Sequence, residues 1–181
     1  MDQGTRVRRL VELFRYELYR SLGTFYCDRE LWARAVRPLS RALRILPDDG
    51  YTMRYLALVF ERTGQFAKSM SLYRNAIALE GMHYEARRGF MRLLRQQGHH
   101  EEALALAEET AIIALAAPTE LAQWQLHVGV LRARAGRVQE ARHALHECLR
   151  TVEEIEADGF SDLGKEIREA VNSLRAAIDT H

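Results

Sequence analysis

The stretch GQFAKSMSLYRNAIALE at 64–80 is echoed by GHHEEALALAEETAIIAL at 98–115, so a glycine that opens a helix-like run returns farther along the chain. A return after about 34 residues marks a unit that cannot bury its own apolar face and leans on a neighbour to do so. Working outward, the chain breaks at Pro47 to Gly50 and at Gly64, Gly81, Gly98, Pro118, Gly136 and Gly159, each a helix stop or start. No period-two alternation runs for more than a few residues, so the spacing predicts an all-α chain.

Residues 50–83 divide at Gly64 into YTMRYLALVFERT and FAKSMSLYRNAIALE. On a helix, Met53, Leu56, Ala57 and Phe60 share one face of the first segment, and Ala67, Met70, Tyr73, Ala76 and Ile77 one face of the second. Two such faces pack as an antiparallel hairpin. Apolar surface remains on its outer side and asks for a neighbour.

These spacings resemble the tetratricopeptide repeat (TPR), a helix pair with the same period. In residues 16–49, Tyr19, Leu22, Gly23 and Tyr26 match its first helix, and Trp32, Ala35, Leu39, Ala42 and Pro47 its turn and second helix. Residues 50–83 follow with Met53, Leu56, Ala57, Phe60, Gly64, Phe66, Ser69, Tyr73 and Ala76, with Gly81 where proline is usual. A third copy, 84–117, keeps Phe90, Leu94, Gly98, Ala103 and Ala107 but has Arg87 at the tryptophan position. A fourth, 122–155, keeps Val128, Gly129, Gly136, Ala141, Leu145 and Cys148. Its Gly136 falls later than the period counted from Gly98 would put it, and Trp124, Val128, Leu131 and Ala135 offer a rival stripe for its first helix.

The resemblance implies a right-handed α-solenoid of about four TPR hairpins over one domain, 1–181. Residues 1–15 would extend it as a helix with Val7, Leu10, Val11 and Phe14 on one side. Residues 161–179 would cap it, with Leu163, Ile167, Ala170, Val171, Leu174 and Ile178 in line. Small residues at 23, 57 and 129, and alanine at 35, 103 and 141, would let neighbouring helices approach closely.

TPR stacks line a concave groove with their first helices. Carried over to this chain, the lining is Glu17, Arg20, Ser21, Thr24 and Cys27; Tyr51, Arg54, Tyr55, Leu58 and Glu61; and Glu85, Arg88, Arg92, Arg95 and Gln96. Arg20, Arg54 and Arg88 hold the same place in three successive repeats, a ladder of guanidinium forks suited to carboxylates. The alternative is that abundant arginines simply solvate a helix face. The TPR peptide clamp for chaperone C-termini uses Lys and Asn where this chain has Arg20 and Thr24, so that ligand is not supported.

Composition sets further bounds. The 181 residues are 48% hydrophobic and 28% charged, as in ordinary globular chains. Net charge is +1, but residues 1–100 hold 18 Lys and Arg against 10 Asp and Glu, a balance of +8, and residues 101–181 hold 8 against 15, or −7. Cys27 and Cys148 lie outside any CxxC spacing and read as small buried hydrophobes. No run of consecutive apolar residues is long enough for a membrane span, and the N-terminus lacks the apolar core of a secretory signal, so a cytoplasmic location is the expectation.

Chemistry has few footholds. His143 and His146 in HALHEC are three apart, but no third metal ligand is evident, and His99 and His100 with Glu101 and Glu102 read as a solvated helix start. Neither catalysis nor a cofactor nor a metal is expected. The basic half could attract phosphates, yet Tyr19, Tyr26, Trp32 and Phe60 hold packing positions, so nucleic acid is not the expected partner. The expectation is a non-catalytic adaptor or scaffold holding a partner segment, with acidic segments the chemistry the ladder fits. A chaperone of a bacterial secretion or surface-assembly system, or self-association through the oppositely charged halves, are the alternatives.

Overall fold

The computed structural model describes residues 3–79 and 84–179, and among these it holds nine α-helices and no strand. They are α1 (Gln3–Asp28), α2 (Trp32–Ile45), α3 (Gly50–Arg62), α4 (Phe66–Ala78), α5 (Tyr84–Gln96), α6 (His100–Ile113), α7 (Pro118–Arg134), α8 (Val138–Ala157) and α9 (Ser161–Asp179). Gly81, expected in place of the repeat's proline, lies outside the described residues. The chain forms two compact units that meet in sequence at Leu93 and Leu94.

One turn chemistry recurs between the helices. Gly64, Gly98, Gly136 and Gly159 have φ between 74° and 94°, the left-handed conformation in which a side chain is strained. The residue after each sends its N–H back to a carbonyl five positions earlier: Gln65 to Phe60 at 2.8 Å, His99 to Leu94 at 2.9 Å, Arg137 to Arg132 at 2.9 Å and Phe160 to Ile155 at 3.1 Å. These bonds satisfy carbonyls that a helix end would otherwise leave open. The first hairpin makes the same bond, Leu31 to Tyr26 at 2.8 Å, but Glu30 occupies the left-handed position with φ 57°.

In the first unit, α1 pairs with α2 and α3 with α4, and α2 also packs on α3. Cys27, Ala35, Leu39, Leu56 and Val59 form its core, with Tyr26, Trp32, Val36 and Tyr55 around them. Gly23 sets the closeness of the first pair, because a Cβ there would sit 2.5 Å from the Leu39 side chain. Asp49 starts α3 by accepting from the Tyr51 and Thr52 amides at 3.2 Å, and Tyr16 of α1 donates to the same carboxylate at 2.6 Å. The inward face of α4 differs from the expected stripe. Ser69, Tyr73 and Ala76 are buried and Ala67 is exposed. A serine can be buried here because its hydroxyl donates to the Ala57 carbonyl at 2.7 Å.

The second unit pairs α7 with α8, which also carries α9. The extra residues before α7 form a 3-10 turn, Ala114–Ala116, and an early helix start at Pro118, where the missing proline N–H costs nothing. Gly129 lies against Leu145, where a Cβ would come within 2.6 Å, and Trp124, Val128 and Leu131 of the rival stripe fill the other side, while its fourth member, Ala135, follows the helix end and is exposed. Ile167 and Val171 of α9 join Leu145, Cys148, Val152 and Ile155 in one core, and Leu163, Leu174 and Ile178 pack against it.

Candidate functional site

Five of the expected groove residues, Arg54, Leu58, Glu85, Arg88 and Arg92, converge in the first unit on one cleft of about 170 Å³, completed by Tyr73 and Gly89. Arg54 and Leu58 come from α3, Tyr73 from α4, and the remaining wall from α5. Gly89 makes the fit possible. A Cβ there would stand 2.7 Å from the Tyr73 hydroxyl, so the helix can pass the fully buried ring only without a side chain.

The floor of the cleft is an ion-pair network. Glu61, expected to line the groove, is instead buried; its carboxylate takes both Nε and Nη2 of Arg92 at 3.0 Å and the Tyr73 hydroxyl at 3.2 Å. Position 61 ends α3 on the side facing α4 and α5, which explains why a charged residue there turns inward with two donors. The hydrogen bonds to Glu61 raise the Arg92 pKa above its ordinary value, and burial does the same to Tyr73.

Arg20 and Arg54 extend the site along a run of tyrosines. The Arg20 guanidinium lies 5.7 Å from the Tyr16 ring and 5.3 Å from that of Tyr51. Arg54 is 5.3 Å from the same Tyr51 ring and 4.3 Å from Tyr55. The alternation Tyr16, Arg20, Tyr51, Arg54, Tyr55 holds two cations over aromatic faces. Each also meets an acid: Arg20 with Glu17 at 2.6 Å and Arg54 with Glu85 at 3.4 Å. Both acids are mostly exposed, and exposed pairs are worth about 0–1 kcal/mol. An incoming carboxylate can displace them at little cost, whereas it cannot displace the buried Glu61.

The other expected residues take different places. Cys27 is in the core, because it follows Gly23 by one turn on the side facing α2. Thr24 is half-buried and donates to the Ser21 carbonyl at 3.1 Å. Arg95 belongs to the second unit, where its Nε is buried without a partner, and burial followed by repulsion from Arg134 lowers its pKa. The parts played by Gly89, Tyr73 and the inward Glu61 were missed. A glycine inside a helical run such as RRGFMRL signals a close approach and could have revealed the first two.

His143 and His146 are exposed, and no group of three or more His, Cys, Asp or Glu placed to hold a metal ion occurs among the described residues. No helix among them is long and apolar enough to cross a membrane.

No protein-family model matches the chain, and no curated protein sequence matches it. Solved structures do. PilF of Pseudomonas aeruginosa superposes with a TM-score of 0.65 at 19% identity, over 90% of this chain and 77% of its own. MamA of Desulfovibrio magneticus RS-1 gives 0.63 at 15% identity, over 92% and 94%. YrrB, described as a TPR protein with an unusual peptide-binding site, gives 0.58 at 10% identity, over 87% and 85%. The chain has the tetratricopeptide-repeat fold.

Within the TPR frame, the recurring small residue of the first helix is Gly23, Ala57 and Gly129, each buried, and Leu39, Tyr73 and Leu145 fill the matching place in the second helix. In the fourth repeat Arg132 replaces the usual tyrosine. It reaches Glu108 of α6 at 2.7 Å and the Glu140 carbonyl at 3.4 Å, so an ion pair does there what ring packing does elsewhere in the TPR.

Proposed function

We propose that this TPR protein is a non-catalytic adaptor that holds a carboxylate-bearing segment of a partner protein against the arginines of its first unit. The observation that carries this reading is the convergence of Arg54, Arg88 and Arg92 with the apolar wall of Leu58 on one cleft. Arg54 offers the fork, Glu85 is the acid to be replaced, and Arg20, braced between Tyr16 and Tyr51, extends the cationic track. Arg92, committed to Glu61, shapes the floor. Preorganised guanidinium groups lose little freedom on binding, which favours short acidic segments or a chain terminus. The peptide-binding site described for YrrB is an analogy at the level of fold. Thr24, Tyr55 and Arg95 have no direct part in this cleft. A cytoplasmic setting for the adaptor is part of the same proposal.

The test is affinity capture from the native organism with the wild-type chain and with the double variant Arg54→Glu/Arg88→Glu. A partner should be lost from the variant while its melting temperature stays within a few degrees. Equal capture by both removes the arginines from the function.

A further inference from the structure

Among the described residues, nothing buries the segment of α1 from Thr5 to Arg15. Every side chain from Thr5 to Arg15 is exposed, and the first buried residue is Tyr16. Farther along, Tyr16, Gly23 and Cys27 face inward, while the opposite side carries a second apolar stripe. It consists of Val7, Leu10, Val11, Phe14, Leu18 and Phe25, with Phe14 71% and Leu10 65% exposed. These positions share one face at helical spacing, so they form one line along the helix. An uncovered helical segment of this length is marginal in water and gains stability from a surface to lie on.

Charge says which surface. Arg6, Arg8, Arg9 and Arg15 share this arm with a single acid, Glu12, which is paired to Arg15 at 3.0 Å. Arg8 and Arg15 flank the stripe on one side and Arg6 on the other, and their long stems can lie along apolar surface while the guanidinium heads stay in water. A second copy of α1 is a poor occupant. Set antiparallel on the stripe, it would bring Arg15 against Arg15 and Glu17 against Glu17; set parallel, it would put Leu10 beside Arg15. Neither arrangement makes an opposite-charge pair.

We infer that α1 docks on the interfacial region of a bilayer carrying anionic lipids, its stripe sunk among the headgroups and its arginines on lipid phosphates. A lone helix with an apolar ridge and basic flanks, standing clear of its own domain, has the form of an interfacial amphipathic helix. Because the stripe lies on the side of α1 away from α2, a flat surface can reach it without disturbing the hairpin. The tyrosine–arginine run begins on the inward side of the same helix, so the docked protein keeps its cleft in water.

The experiment is vesicle flotation of the full chain, using phosphatidylcholine alone and phosphatidylcholine mixed with phosphatidylglycerol, with sedimentation velocity in the absence of lipid. Wild type should float with the mixed vesicles and not with the neutral ones, and added salt should weaken binding. Leu10→Glu/Phe14→Glu should reduce the bound fraction by at least about tenfold. Its melting temperature should stay within a few degrees, since Leu10 and Phe14 are both mostly exposed. Arg6→Glu/Arg8→Glu should also lose binding. Failure to float with anionic vesicles at low salt overturns the inference. So does undiminished flotation of Leu10→Glu/Phe14→Glu. A wild-type dimer that this variant dissolves would assign the stripe to a second copy, and a lipid-independent acidic protein bound through the stripe would assign it to a partner helix; either overturns the bilayer.

Discussion

Arg92 meets Glu61 through two parallel hydrogen bonds, both at 3.0 Å, while the Glu61 side chain is only 5% exposed and that of Arg92 is 46% exposed. The carboxylate is therefore the member that depends on the pair. Replacing Arg92 with Met leaves it buried with only the Tyr73 hydroxyl, and we expect a loss of about 1–3 kcal/mol, discounted for the exposure of the arginine. Glu61→Gln should cost less, because no charge is left behind. Urea titration of the two variants checks the order. Equal losses would show that the pair carries no buried-charge penalty.

Close helix approach depends on Gly23 and Gly89. Their added Cβ atoms would sit 2.5 Å from Leu39 and 2.7 Å from Tyr73. Gly23→Ala and Gly89→Ala should each lose about 1–3 kcal/mol through overpacking, and Gly23→Leu or Ala103→Phe more. A second substitution, Leu39→Ala, should recover part of the Gly23→Ala loss, although Leu39→Ala alone is destabilising. A thermal melt in which the two losses add without recovery would contradict the contact.

Glu30 holds a left-handed conformation that glycine holds at Gly64 and Gly98. Glu30→Gly should stabilise the protein by about 0.5–1 kcal/mol, and Gly64→Ala should destabilise it by a similar amount. Thermal or chemical unfolding gives the sign directly.

Buried acids of another kind govern the alkaline limb. Burial pushes the Cys27 thiol from 9.0 to about 11 and the Cys148 thiol from 9.0 to about 12, and burial with the bond to Asp49 pushes Tyr16 from 10.0 to about 12. These groups lose their protons in the unfolded chain before they lose them in the folded one. Their contribution is therefore complete below about pH 9 and declines as pH rises toward the folded values. Melting temperature should be flat from about pH 7 to 9 and fall above it, and Cys148→Ala should flatten the fall. Thiol reagents at neutral pH should label neither cysteine until the protein unfolds.

Hairpins, turns and cap were readable because one period governs them. Gly64, Gly98 and Gly136 mark turns by chemistry that no other residue supplies cheaply, and the stripe of α9 runs at simple helical spacing. Glu30 hid the first turn because tertiary packing holds a non-glycine residue where propensity would not. At the cleft, the recurrence of arginine at positions 20, 54 and 88 was plain, but a period cannot say which acid sits beside each guanidinium. Glu61 turned inward because Arg92 and Tyr73 arrive from other helices, and Gly89 mattered only once the Tyr73 ring was in place. The stripe of α1 was visible as amphipathic spacing, while its exposure was not.

Whether the cleft takes carboxylates is decided by a fluorescence-anisotropy titration of a labelled glutamate-rich peptide with a free C-terminus against wild type, Glu85→Gln and Arg88→Glu. Glu85→Gln removes the acid that competes for Arg54 and should tighten binding several-fold, while Arg88→Glu should abolish it. Binding that is unchanged in both variants, or absent from wild type at low salt, would contradict a carboxylate-holding cleft.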